Sequence, residues 1–171
     1  MKKLFVLLIT VLMFQLAVPK AEAGTGWVKK NNQWSYYLNS GSLYKGWLHS
    51  GNAWYYLDSA GVMKTGWVYD GAWYHLKSDG RMSTGWVYDQ GTWYYTEKSG
   101  KMKKGWIYDG AWYYLNPSGA MQTGWIKTND SWYFLEQSGK MKTGWLKDGA
   151  SWYYLQQSGE MKSGWLKEED T

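Results

Sequence analysis

From Gly26 to Gly164 the chain alternates short aromatic and aliphatic clusters with polar turns, and the alternation keeps a fixed beat. Each unit opens on Gly-Trp and an apolar residue, crosses a polar tip, returns through a Trp-Tyr-Tyr-like triplet, and closes on a turn ending in Gly and then Met. The Gly-Trp pairs begin at Gly26, Gly46, Gly66, Gly85, Gly105, Gly124, Gly144 and Gly164, with steps of 20, 20, 19, 20, 19, 20 and 20 residues. The clusters are short, rich in aromatic and β-branched residues and bounded by Asp, Asn and Gly, which predicts strands; no helical period follows Gly26. From the second Trp of each unit (Trp34, Trp54, Trp73, Trp93, Trp112, Trp132, Trp152) to the next Gly the count is always 12. All the variation in length therefore sits between the two tryptophans, as in a hairpin loop on a rigid frame.

Each unit is predicted to be a β-hairpin. In the unit at Gly66 two registers are open: a two-residue Asp70-Gly71 turn pairing Val68 with Trp73, or a three-residue Tyr69-Asp70-Gly71 loop pairing Trp67 with Trp73. Of these two, only the second sets both tryptophans on one face through direct opposition. A lone hairpin is marginal in water, so the units must stack. The fold class expected is all-β, a hairpin solenoid of seven hairpins plus a truncated eighth unit, with a Gly needing positive φ in each turn (Gly41, Gly61, Gly80, Gly100, Gly119, Gly139, Gly159). In the first unit Ser35 replaces the first Tyr of the triplet and Leu43 replaces Met, which marks a cap. GWLKEEDT at the other end lacks a return strand, so either Trp165 closes the seventh interface alone or the chain is a fragment.

Residues 1–23 read as a signal peptide: Lys2 and Lys3 precede an apolar run from Leu4 to Val18, and Ala21-Glu22-Ala23 supplies a cleavage pattern. The run is short for a membrane span, with an uncleaved anchor as the alternative. The solenoid is assigned to 24–171, secreted and cell-wall associated, without a membrane span after cleavage. The absence of Cys rules out disulfides and a bacterial lipid anchor.

The chain carries 15 Trp and 16 Tyr against 3 Phe. Burial alone favours Leu, Ile, Val and Phe, whereas Trp and Tyr suit surfaces that are half packed and half offered to a ligand. Two or three such faces around a pocket form a cage for a quaternary ammonium ion, with the recurrent Met as an adaptable wall. The competing reading is that the tryptophans are core and Met a gap-filler. The formal charge of +5 is dispersed through the turns, which leaves nucleic-acid binding unsupported and suits a polyanionic wall.

Units such as GWVYDGAWYHLKSDGRMST and GWIYDGAWYYLNPSGAMQT resemble the choline-binding repeats of Gram-positive surface proteins, lytic enzymes and phage proteins, over the whole chain after the leader. The resemblance implies a left-handed solenoid that holds choline residues of teichoic or lipoteichoic acid between successive hairpins. It implies walls from Trp47 with Trp54, Trp67 with Trp73, Trp86 with Trp93, Trp106 with Trp112, Trp125 with Trp132 and Trp145 with Trp152, backed by the matching Met63, Met82, Met102, Met121, Met141 and Met161. Secondary candidates are Trp27, Trp34 and Trp165, with Tyr56, Tyr95, Tyr114 and Tyr154 as third walls; which tyrosine of the triplet serves stays open. Ser35 and Leu43 count against the first site, and His75 against the site it borders if the second aromatic is the wall. Glucan-binding repeats share a similar grammar, so a carbohydrate-binding array is the alternative.

No catalytic residue, metal site or cofactor is assigned, and the chain is read as a non-enzyme. His49 lies in a tip and His75 in a variable triplet slot, and neither shows metal-ligand spacing. Asp70, Asp89, Asp109 and Asp148 recur with the repeat, as turn chemistry predicts.

Overall fold

Seven antiparallel hairpins, each its own two-stranded sheet, follow one another along the chain in a computed structural model that describes residues 24–164. The leader-like segment and Trp165 lie outside the described residues. The strands are β1 (Gly26–Lys30), β2 (Gln33–Tyr37), β3 (Gly46–Ser50), β4 (Ala53–Leu57), β5 (Gly66–Tyr69), β6 (Trp73–Leu76) and β7 (Gly85–Asp89). They continue as β8 (Thr92–Thr96), β9 (Gly105–Tyr108), β10 (Trp112–Leu115), β11 (Gly124–Thr128), β12 (Ser131–Leu135), β13 (Gly144–Asp148) and β14 (Ser151–Leu155). The all-β hairpin array expected from the repeat is the one observed.

Tip chemistry sets the turns. Asn31-Asn32, Gln90-Gly91 and Asn129-Asp130 have positive φ at both positions, the signature of a type I′ turn. Gly51 and Gly149 lead tips in which only the first residue has positive φ, as in type II′. In the two shorter units the loop is Asp70-Gly71-Ala72 and its counterpart, so Tyr69 pairs with Trp73, Val68 with Tyr74 and Trp67 with His75. This corrects both registers read from sequence. The loop starts one residue later than the three-residue alternative, and the two tryptophans still share a face because they are diagonal neighbours across the ladder.

Strand alternation then sorts the side chains. One face carries the Gly-Trp tryptophan, the second Trp and the second residue of the Tyr pair. The other carries the aliphatic residue after Gly-Trp, the first Tyr and the strand-ending Leu. The core is a column on that second face: Leu57, Leu76, Leu115, Leu135 and Leu155 are at most 1% exposed. Thr96 takes the Leu slot in the fourth unit and buries its hydroxyl by donating to the Ser83 and Gly85 carbonyls at 3.1 and 3.2 Å. Burial is thus aliphatic, while Trp34, Trp54, Trp73, Trp93, Trp112 and Trp132 stay 40–46% exposed.

From the second unit onward the polar turn brings Met back beside the strand-ending residue of its own hairpin, as in the Leu57–Met63 bridge, with Thr96 facing Met102 in the fourth unit. The same Met donates its amide to the preceding unit: Met63 to the Trp34 carbonyl, Met82 to Trp54, Met102 to Trp73, Met121 to Trp93, Met141 to Trp112 and Met161 to Trp132, at 2.7–2.8 Å. These bonds fix the step between hairpins. Glycine is required in the next turn for two reasons: Gly100 has φ +83, and a Cβ there would overlap the Met82 thioether. In the first unit Leu43 occupies the Met place under Gly61.

Candidate ligand-binding cages

Because adjacent tyrosines of the triplet point to opposite faces, only the first can reach the tryptophan face of the preceding hairpin. The rings bear this out: Trp27–Tyr55, Trp47–Tyr74, Trp67–Tyr94, Trp86–Tyr113, Trp106–Tyr133 and Trp125–Tyr153 have centroids 4.7–5.0 Å apart, edge to face. In five of the seven hairpins the two indoles stand nearly perpendicular, as for Trp86–Trp93 at 6.3 Å and 89° and Trp106–Trp112 at 6.4 Å and 86°.

Four cavities with the same plan lie in these corners. Trp47, Trp54, Tyr74 and Met82, with Lys98 and Ser99, line about 370 Å³. Trp67, Trp73, Tyr94, Met102 and Ser118 line about 200 Å³. Trp86, Trp93, Tyr113, Met121 and Ser138 line about 300 Å³, and Trp106, Trp112, Tyr133, Met141 and Ser158 about 220 Å³. Each draws two indoles from one hairpin, Tyr and Met from the next, and Ser from the turn after that. These volumes sit at or below the lower end of pockets for drug-sized molecules, which suits a small head group. A cavity of about 480 Å³ along Thr25, Tyr36 and Leu38 has no tryptophan in its wall and belongs to a different surface.

The sequence reading requires two changes of partner. The Met that completes each cage comes from the following hairpin, so Met82, not Met63, accompanies Trp47 and Trp54. The tyrosine wall is the first of the triplet, whereas Tyr56, Tyr95, Tyr114 and Tyr154 pack on the Gly-Trp tryptophan of their own hairpin at 5.1–5.2 Å. Trp27, Trp34, Tyr55 and Met63 share the same arrangement of rings and joint, and neither Ser35 nor Leu43 contributes to that set. Trp125 and Trp132 meet Tyr153 and Met161 likewise. Trp145 and Trp152 form the perpendicular pair at 6.3 Å, and no tyrosine of a following hairpin is among the described residues.

The choline-binding repeat model matches residues 24–67, 64–106, 104–143 and 122–165. The chain belongs to the choline-binding repeat family. It is similar to CbpJ of Streptococcus pneumoniae (41% identity, TM-score 0.76), over 81% of this chain and 52% of that one. It is also similar to pneumococcal choline-binding protein F, solved with a peptidoglycan analogue (42%, TM-score 0.74, again 81% and 52%). The choline-binding domain of pneumococcal CbpL is 32% identical with a TM-score of 0.57, over 81% and 87%. The chain spans about half the length of CbpJ and protein F. No curated protein sequence matches.

In these choline-binding repeats the tip aspartates have a role that turn chemistry did not suggest. The indole N–H of Trp47 donates to Asp70 at 2.9 Å, Trp67 to Asp89 at 3.1 Å, Trp86 to Asp109 at 2.9 Å and Trp125 to Asp148 at 2.8 Å, each across to the next hairpin. Ser50 serves Trp27 in the same way at 3.1 Å. The bond orients one cage wall and sets a carboxylate at its edge, which raises the local negative potential. At the Trp106–Trp112 cage the Tyr133 hydroxyl donates to Glu160 at 3.1 Å, and burial together with that carboxylate pushes the phenol above its ordinary value.

His75 occupies a second-tyrosine slot, so it sits against Trp67 at 5.0 Å and outside the cage wall. Its Nδ1 lies 2.9 Å from the Ser83 hydroxyl. Burial holds its pKa below the usual histidine value, with Asp89 opposing and Lys77 assisting. The unfolded chain therefore binds this proton more readily, so stability is complete above about pH 6.5 and falls on acidification below it. Replacement His75→Tyr is expected to flatten that acid limb. Urea melts at neutral and mildly acidic pH check it; a limb of unchanged slope contradicts the assignment.

Among the described residues no cluster of three metal-ligating side chains occurs, and no helix is long and apolar enough to cross a membrane.

Proposed function

We propose that the cages hold the trimethylammonium group of choline displayed on teichoic or lipoteichoic acid, and that the chain, exported by its first 23 residues, is a noncovalent anchor at a Gram-positive wall. The observation carrying this reading is the fourfold recurrence of one cavity plan lined by two indoles, a phenol and a thioether. Electron-rich faces attract the cation and the thioether meets its methyl groups. Each face contributes roughly 0.5–2 kcal/mol, so a single cage is weak and retention comes from several engaged at once on a polymeric ligand. Indole faces also stack on sugars, which makes dextran the control ligand. Free choline is expected to change tryptophan emission in the millimolar range, with dextran silent. Emission and melting temperature unmoved by tens of millimolar choline would defeat the proposal, and a response to dextran alone would favour carbohydrate.

A further inference from the structure

The residue directly across each hairpin from the second tryptophan differs along the array, in a way the core does not demand. The pairs are Lys29 with Trp34, His49 with Trp54, Tyr69 with Trp73, Tyr88 with Trp93, Tyr108 with Trp112, Lys127 with Trp132 and Lys147 with Trp152. Directly opposed residues share a face, so this residue borders the cage wall. We infer that it grades the cages: Tyr69, Tyr88 and Tyr108 make the three central sites strong, while Lys29, Lys127 and Lys147 weaken the flanking ones. The inference rests on the choline reading.

The central tyrosines lie 4.9–5.5 Å from the facing indoles. They are 61–65% exposed, so burial gives little reason for a large ring there. At the rim, each phenol presents a second electron-rich surface to an approaching cation. At the ends the reverse holds. The Lys29 ammonium stands 5.8 Å from the centre of the Trp34 ring, and that of Lys147 stands 5.9 Å from Trp152. An indole that already faces an internal cation has less of its quadrupole to offer, and the two positive charges repel. His49 stacks on Trp54 at 5.0 Å beside a cage whose wall also includes Lys98. That cage falls between the two classes. The Trp106–Trp112 cage, with Tyr108 at its rim and Glu160 on its phenol, stands at the top.

The effect is one of charge, which separates it from packing. Choline and dimethylbutanol, its uncharged tert-butyl analogue, have nearly the same shape, and only choline should sense the lysines. Calorimetric titration of the whole protein with each ligand is the test. Wild type is expected to show two classes of choline site. Tyr69→Lys, Tyr88→Lys and Tyr108→Lys together should weaken the strong class about threefold to tenfold and leave dimethylbutanol binding within about twofold. The reciprocal set, Lys29→Tyr, Lys127→Tyr and Lys147→Tyr, should enlarge the strong class; it places a strand-favouring residue at exposed positions and so decides the matter if the lysine set does not fold. Choline bound with one affinity that neither set moves, or both ligands shifted equally, overturns the grading alone. A wild-type protein that takes up neither ligand overturns the choline reading and the grading with it.

Discussion

Choline at ten times its dissociation constant raises the unfolding temperature by roughly 10–20 °C. Each of the four cages takes its indoles from one hairpin and its Tyr and Met from the next, so a bound ligand exists only while the two are stacked. Ligand that binds the folded form alone adds about 1.4 kcal/mol per site at that concentration, hence about 5–6 kcal/mol for four sites. A chain of this size shifts by about 2–4 °C per kcal/mol. Scanning calorimetry in choline chloride against sodium chloride of equal ionic strength measures it. A rise of only one or two degrees would mean that the cages do not bridge neighbours. The effect matters in a solenoid, where interfaces between units carry much of the stability and no long-range core supports a weak one.

Replacement Leu115→Ala costs about 3 kcal/mol and removes two cages together. Leu115 is fully buried, pairs with Gly105 and bridges to Met121. The truncation loses transfer energy and leaves a void that the rigid turns around it cannot close. Its hairpin supplies Trp106 and Trp112 to one cage, and Tyr113 and Met121 to the one before, so local loosening there disables both. Urea unfolding measures the stability loss, and choline stoichiometry just below the transition should fall by about two while the distal sites persist. A loss under about 1 kcal/mol would show that the aliphatic column is not the core.

Much of this arrangement could be read before any coordinates. The tryptophan spacing located the variable tip, the turn glycines proved to need positive φ, and the mixture of Trp and Tyr in place of Phe announced rings that remain half-exposed. The turn types of the tips came only with the backbone, where Asn31-Asn32 adopts positive φ twice and Gly51 leads a tip with only its first φ positive. The second tyrosine of the triplet drifts to His75 and Phe134, whereas the first tyrosine is kept in every unit from the second onward. The sequence left open which of the two serves as the wall; the stacked hairpins place the first there, and strand alternation supplies the reason.

Local spacing specified hairpins, their number, their stacking into an all-β array and the aromatic material for cages, because turns and two-residue alternation depend on neighbours a few positions apart. Partnership between hairpins was settled by the stacked arrangement alone. Tyr113 closes on Trp86, Met121 bonds back to Trp93, and Asp109 receives the Trp86 indole, each from about a repeat further along the chain. Which face meets which depends on the rotation and rise between units. Those are products of packing and of the Met amide bonds, and no single repeat contains them.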